Sequence, residues 1–347
     1  MNKYIFDCDL SGLEKVCITW GEPEYRALQI WEGLYQQYWE TPQQFSPLPL
    51  DMRDRLQDEF TFSHLEPVDQ CQANDRLTHK TAFRLPDGPT IEVVLMRYTD
   101  RNTLCISSQA GCAMGCEFCA TGQMGFQRHL SSGEIVEQVV YYARTLEAQK
   151  ESLTNVVFMG MGEPFHNYDA VMEAIQRLRH PQGMNLGARR FTISTVGIVP
   201  KIRQFAHENT QVNLAVSLHA VDDELRSSMM PINKTYPVSE LLDACKEYVS
   251  ITNRRISFEW ALIQGVNDTP EQARNLAALI RGMLAHVNII PLNPTEGYGF
   301  AATTEERAGV FQKILIEQGV SCTIRERRGI DIQAGCGQLA RKYSSEE

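Results

Sequence analysis

Between Thr103 and Gly319 a short, apolar, β-branched run is followed six times by a stretch at helical spacing. TLCISS precedes SSGEIVEQVVYYARTLEAQ, NVVFMGMGE precedes YDAVMEAIQRL, and FTISTVG precedes PKIRQFAHE. NLAVSLHA then precedes VSELLDACKEYV, ISFEWALI precedes TPEQARNLAALIRGM, and VNIIPLNP precedes TEERAGVFQKILIEQG, with SCTIRER as one further strand. Apolar strands alternating with helices imply a parallel sheet covered by helices, an α/β fold. Six units can close partly into a barrel or lie in an open doubly wound sheet, and the pattern allows both. In either case the loops after the strands gather on one face. Neither a Gly-x-Gly-x-x-Gly fingerprint nor a P-loop follows any strand, which counts against dinucleotide and NTPase versions. Ser131 and Glu134 have capping-box spacing, and Thr269-Pro270 is a cap and first-turn pair.

The residues before Thr103 read differently. Tyr25, Leu28, Trp31, Leu34 and Tyr35 recur at helical spacing, QFSPLPL ends that unit, and a second short helix is expected over Asp51 to Phe60. Lys80 to Leu85, the turn Pro86-Asp87-Gly88-Pro89, and Thr90 to Arg97 read as a hairpin. The expected division is a helical accessory domain over 1–75, a β-hairpin extension over 76–102, a core over 103–330 and a tail over 331–347. With 43% hydrophobic residues the chain of 347 has ample material for a core, so disorder over most of it is excluded. No apolar run reaches the roughly 18 residues of a membrane helix. MNKYIFDCDLSG has no signal-peptide apolar stretch, and a cytoplasmic protein is expected.

Ten cysteines are present, and Cys112, Cys116 and Cys119 fall within eight consecutive residues, just after the first strand of the alternation. A secreted disulfide scaffold would be shorter and denser in cysteine, so this trio suggests metal ligation. Structural zinc takes four closed ligands, and no second pair lies nearby. An iron–sulfur cluster usually takes four cysteines; three leave one iron open to a substrate or cofactor. Gly160-Met161-Gly162-Glu163-Pro164 follows the second strand, Ser194 the third, Ser217-Leu218-His219 the fourth and Asn293 the sixth. All of these rim the same face. The net charge of −10 argues against non-specific coating of nucleic acid, so any RNA surface must be local.

These residues resemble the radical S-adenosylmethionine (SAM) superfamily. Within it, Arg101 to Cys112, Phe118 to Phe126, Met159 to Glu163, Asn167 to Asp169 and Ala334 to Leu339 are similar to the RlmN/Cfr family of RNA methyltransferases, and closer to RlmN. The resemblance implies a partial (βα)6 barrel. It also implies a [4Fe-4S] cluster on Cys112, Cys116 and Cys119, and SAM held by Gly162, Glu163, Ser194, Ser217, Leu218, His219 and Asn293. Where that family has a leucine-type residue after Gly-Glu-Pro, this chain has Phe165-His166.

The chemistry so implied explains two further cysteines. Carbon 2 of adenine lies between two ring nitrogens and is too electron-poor to attack the SAM methyl. A carbon radical can add to it. The resemblance implies that one SAM methylates Cys336 and a second yields a 5′-deoxyadenosyl radical, which takes a hydrogen atom from the S-methyl group. The methylene radical adds to the base, Glu92 accepts the ring proton, and Cys105 attacks Cys336 to release the product with a disulfide. Two SAM are used per turnover, and an external one-electron donor of the flavodoxin type supplies the electrons. The implied substrate is an adenosine of 23S rRNA in the peptidyl-transferase region, with tRNA as a second candidate. A monomer is expected, with Arg26, Arg53 and Arg55 offered to RNA. Cys8, Cys17, Cys71, Cys245 and Cys322 read as structural. Other readings are Cfr-type methylation at carbon 8, a radical SAM enzyme on a non-RNA substrate, and a non-catalytic iron–sulfur or zinc RNA-binding module.

Overall fold

The computed structural model describes residues 2–295 and 297–339; the tail beyond, including Arg341-Lys342, lies outside the described residues. Near the N terminus β1 (Lys3–Tyr4) pairs in parallel with β2 (Phe60–Thr61). Between them lie α1 (Leu10–Thr19), α2 (Tyr25–Tyr35) and α3 (Leu50–Glu59). The helical spacing in α2 reflects a buried face that includes Ile30, Trp31, Leu34 and Tyr35. β3 (Glu66–Gln72), β4 (Thr78–Arg84) and β5 (Thr90–Arg97) then form an antiparallel meander. The expected hairpin is therefore present, but β3 falls inside the stretch read as helical. EPVDQCQ has no fully buried residue, so it carries no alternating apolar signal and owes its extended state to pairing with β4.

β6 (Asn102–Cys105) pairs antiparallel with β5 and begins the parallel series. Next come β7 (Gln109–Gly111), the short α4 (Ala120–Gln123) and β8 (Phe126–His129). The six expected strand-helix units then appear. α5 (Ser132–Glu147), β9 (Asn155–Phe158), α6 (Tyr168–Leu178), β10 (Phe191–Thr195) and α7 (Val199–Ala206) are followed by β11 (Asn213–Ser217) and the unexpected α8 (Asp223–Met229). α9 (Val238–Thr252), β12 (Ile256–Leu262), α10 (Pro270–Leu279), β13 (Ala285–Pro291), α11 (Glu305–Glu317) and β14 (Ser321–Ile324) complete the core. Both expected caps form. Ser131 and Glu134 make a full capping box, and the Thr269 hydroxyl accepts from the Gln272 amide.

The sheet has ten strands in the order β14-β13-β12-β11-β10-β9-β6-β5-β4-β3. From β6 onward each strand lies beside its predecessor and parallel to it. A doubly wound sheet reverses direction at a switch point, and this one does not. The partial-barrel alternative holds, with β14 and β3 as the sheet's edges.

The loops at the strand ends are sewn together by a buried cation. Arg226 on α8 is fully buried, and its guanidinium donates to the carbonyls of Val196 (2.7 Å), Ser217 (3.0 Å) and Leu218 (3.1 Å) and to Asn233 Oδ1 (2.9 Å). Methionine could fill the volume but would remove the guanidinium from four buried acceptors, of which the Leu218 carbonyl keeps the Ala220 amide (2.8 Å). Arg226→Met is expected to lower unfolding stability by about 3 kcal/mol or more, read as a shift of the urea midpoint at unchanged slope. Arg226→Lys should recover only part of the loss, because one ammonium has three donors.

Candidate active site

The cysteine loop is pinched at its base. β7 and β8 pair antiparallel, and the Cys112 amide donates to the Gly125 carbonyl at 3.0 Å. Gly111 sits at φ +70°, and a Cβ there would meet the Gly125 carbonyl oxygen at 1.9 Å, so this clasp requires glycine. Within the loop Cys112 and Cys116 are buried and Cys119 half-buried. Burial pushes all three thiols up, Cys112 to about 12, and Cys112 and Cys116 also feel neighbouring thiols of the trio. Against that, the Thr121 and Gly122 amides and the Thr121 hydroxyl point at the Cys119 sulfur, and the Met114 amide at Cys112. Such donors favour thiolate and are what iron–sulfur ligands use. Among the described residues no three His, Cys, Asp or Glu side chains converge closely enough to hold a single ion. A polynuclear cluster, in which each iron takes its own thiolate, needs three such sulfurs on one loop.

Two cavities meet above this loop. The smaller, of about 160 Å³, is lined by Cys116, Cys119, Gly162, Glu163, Ser194, Ser217, His219 and Asn293, among others. Six of the seven expected SAM-site residues thus share one cavity. Leu218 does not line it: its side chain is fully buried in the core, and its carbonyl is taken by Arg226. Gly162 has φ +95°, and a Cβ would lie 2.4 Å from that of Gln109, so the chain must pass here without a side chain. Glu163 is buried, with Oε1 accepting from the Phe165 amide (2.9 Å) and Oε2 from Val196 (2.8 Å). Desolvation nevertheless lifts its carboxyl to about 7. His219 adopts φ +60°, and its Nδ1 accepts from the Ala261 amide at 2.9 Å. Burial, with help from Arg226, lowers its imidazole to about 3, so it is a neutral wall and not an acid.

The larger cavity, of about 560 Å³, lies in the barrel interior between β6, β9, β13 and β14. Cys105 lines it from β6, and Arg325 and Asn288 from the opposite strands. Cys336 lines both cavities. It is exposed, and the surrounding protein raises its thiol while the Arg325 guanidinium works the other way. Four hydrogen bonds hold the tail there. Asn293 Nδ2 donates to the Cys336 carbonyl (3.0 Å), the Ala120 amide to Gly337 (2.7 Å), Gln338 to Pro294 (3.0 Å), and the Thr121 hydroxyl to Leu339. Asn293 therefore lines the smaller cavity while also holding the Cys336 carbonyl.

Glu92 is elsewhere than a strand's solvated side. It is buried on β5, lines neither cavity, and pairs with Lys80 Nζ at 2.9 Å, which also donates to the Gln333 carbonyl of the tail (3.2 Å). Arg26, Arg53 and Arg55 donate to carbonyls of their own N-terminal unit, at Pro47, at Leu48 and Ser46, and at Trp20. His166 shares Gln109 Nε2 with His129 and lines neither cavity. Sequence reading missed Glu259, which lines the smaller cavity and accepts from Asn288 (2.8 Å), although a carboxylate within ISFEWALI was a signal.

A barrel in which Cys116 and Cys119 of the cysteine loop share one cavity with the strand-end residues is the arrangement of a radical SAM enzyme; Cys112 lines neither cavity. The pattern of the Radical SAM superfamily matches residues 106–277. The chain is 48% identical to a probable dual-specificity RNA methyltransferase RlmN of Chloroflexus aurantiacus, covering 98% of this chain and 93% of that one. It is 47% identical to the dual-specificity RNA methyltransferase RlmN 1 of Myxococcus xanthus, covering 96% and 93%. The crystal structure of a radical SAM methyltransferase from Sphaerobacter thermophilus superposes with a TM-score of 0.95 at 49% identity, over 97% of this chain and 99% of that one. The chain belongs to the RlmN family of radical SAM RNA methyltransferases, and its cofactors are a [4Fe-4S] cluster and SAM.

Glu163 gives the SAM cavity a pH dependence. A carboxyl raised to about 7 is largely protonated below that pH, and only the ionised form attracts an ammonium group. SAM affinity of the reconstituted protein is expected to weaken as pH falls from about 8 to about 6, by up to roughly tenfold per unit. Equilibrium binding checks this; Glu163→Gln should bind weakly at both ends of the range.

Proposed function

We infer that the enzyme methylates carbon 2 of an adenosine in 23S rRNA, in the peptidyl-transferase region, and of an adenosine beside the tRNA anticodon. The observation that carries this reading is the position of Cys336, which faces the cofactor cavity on one side and the larger cavity, with Cys105, on the other. When bound, the cluster on Cys112, Cys116 and Cys119 and SAM beside Glu163, Ser194 and Ser217 supply a methyl group, an electron and an organic radical.

The protein's own residues do the rest. Cys336 carries the methyl as a thioether and presents it to both cavities without leaving the Asn293 and Ala120 hydrogen bonds. Once its carbon is joined to the base, the enzyme is tethered to RNA through sulfur. Cys105 is buried in the same cavity, close enough to Cys336 for that sulfur to help raise the Cys105 thiol. Its thiolate attacks the Cys336 sulfur, forming the S–S bond as the C–S bond breaks; the electron pair of that bond goes to the methylene carbon, which takes up a proton to become the methyl group, and the odd electron of the radical adduct is given back to the electron-donor system. Glu92 takes the ring proton. Its tie through Lys80 to the Cys336 loop supports that role, and its place behind the cavity wall requires the loop to bring base and carboxylate together. Reductants then restore both thiols.

The remaining parts of the reading are a monomer acting in the cytoplasm, fed by a flavodoxin-type donor, with residues 1–75 as an accessory domain. No helix among the described residues is long and apolar enough to cross a membrane.

Mass spectrometry of digested rRNA and tRNA from a strain lacking the protein tests the reaction. Loss of 2-methyladenosine is expected, and loss of 8-methyladenosine instead would move the assignment to the Cfr type. Cys336→Ala should abolish product, and turnover surviving it would point to a radical SAM enzyme on another substrate. Cys105→Ala should stall at the tethered stage, seen as protein covalently linked to RNA on a denaturing gel.

A further inference from the structure

The larger cavity opens on a rim of arginine. Arg101, Arg325, Arg327 and Arg328 line it with one acidic residue, Glu326, in a chain whose net charge is −10. Tyr98 stands at this rim, half-buried, and both neighbouring guanidiniums lie over its ring, Arg101 at 4.2 Å from the centroid and Arg328 at 4.3 Å. Two like charges held on one ring repel each other; Arg101 has only a weak partner, whereas Arg328 is mostly buried and also donates to the Arg97 carbonyl at 2.8 Å. Arg101 meets Asp100 at 3.4 Å and Arg328 meets Glu326 at 2.8 Å, both carboxylates well exposed to water. Pairs of that kind contribute little and are readily exchanged. A phosphate could replace either carboxylate, with the guanidinium fork matching its oxygens. An arginine-flanked aromatic is also the surface on which unpaired bases stack. The cavity below is of the size that encloses a nucleotide-sized ligand and leads to Cys105 and Cys336.

We propose that Tyr98 with Arg101 and Arg328 is the platform that receives single-stranded RNA next to the extruded target nucleotide, which enters the larger cavity across it. The proposal rests on the RNA-methylation reading and adds the entry side, the contact residues and the unpaired state of the RNA. It gives RNA a docking place on the barrel rim, where Arg101 is exposed, whereas the N-terminal arginines are bonded to carbonyls of their own unit.

Fluorescence anisotropy with a synthetic RNA stem-loop bearing an unpaired adenosine in its loop tests this on the full-length reconstituted protein at several salt concentrations. Tyr98→Ala and Arg101→Glu should each weaken binding roughly tenfold, and Arg101→Glu should also reduce the slope of log affinity against log salt by about one. Tyr98→Phe should bind like wild type, because it keeps the ring. Lys313→Glu, an exposed charge change on α11, should also bind like wild type. Arg101 is exposed, so its variant should keep the fold, as thermal melting and cluster absorbance will show. Wild-type affinity in both Tyr98→Ala and Arg101→Glu would overturn the platform and leave the functional reading standing. Failure of the wild-type protein to bind any such RNA would overturn that reading and the platform with it.

Discussion

Cys336 lines both cavities, and the tail that carries it is held by elements far apart in sequence. The Ala120 amide and Thr121 hydroxyl belong to the cysteine loop, and Asn293 and Pro294 to the end of β13. Gly335 must be small here, since a Cβ would meet Asn293 Nδ2 at 2.6 Å, and Gly337 takes φ +84°. Each bond alone is worth about 1 kcal/mol net. Together they fix a short segment without a helix or strand of its own. The cost of that ordering is offset by burial of Leu339 and Gln338. Both cavities depend on this arrangement, because the tail forms a wall of each.

The same tail covers a gap that the sheet leaves open. A partial barrel exposes the inner faces of its edge region, and β4 and β5 would present Lys80 and Glu92 to water. Between Ile324 and Cys336 the chain runs from β14 back to the meander. There Arg328 donates to the Arg97 carbonyl (2.8 Å), the Asn74 amide to Asp331 (2.8 Å), and Lys80 to Gln333. Gly329 takes a positive φ, and a Cβ there would meet Thr78 Cγ2 at 2.7 Å. Covering the meander turns an exposed ion pair into a buried one. Such a pair contributes little to stability by itself and fixes the position of its partners.

This covering shows what could be read from the sequence and what could not. The six strand-helix units were legible because each depends on local periodicity, and the caps at Ser131 and Thr269 because capping spans three residues. The cysteine trio was legible from spacing. β3, β7 and β8 were not, since they are short or polar and exist through pairing with distant partners. Glu92 alternates with Ile91 and Val93 like a solvated residue, and the tail that buries it lies about 240 residues away in sequence. Leu218 followed the strand-end pattern of Ser217 and His219, yet its side chain turns into the core. Cavity walls are assembled from many strands, so no single segment announced that Cys336 would face two of them.

Charge placement resolves an apparent conflict between an acidic chain and an RNA substrate. At physiological ionic strength the repulsion from distant carboxylates is screened beyond about 8 Å. What a polyanion meets at contact is the local charge, and at the larger cavity that is arginine. The net charge of −10 disfavours non-specific RNA binding over the rest of the chain. Selectivity for one nucleotide therefore needs no strongly basic surface. It needs cations confined to the one opening that leads to the reactive sulfur, and the cavity lined by Arg101, Arg327 and Arg328 provides it.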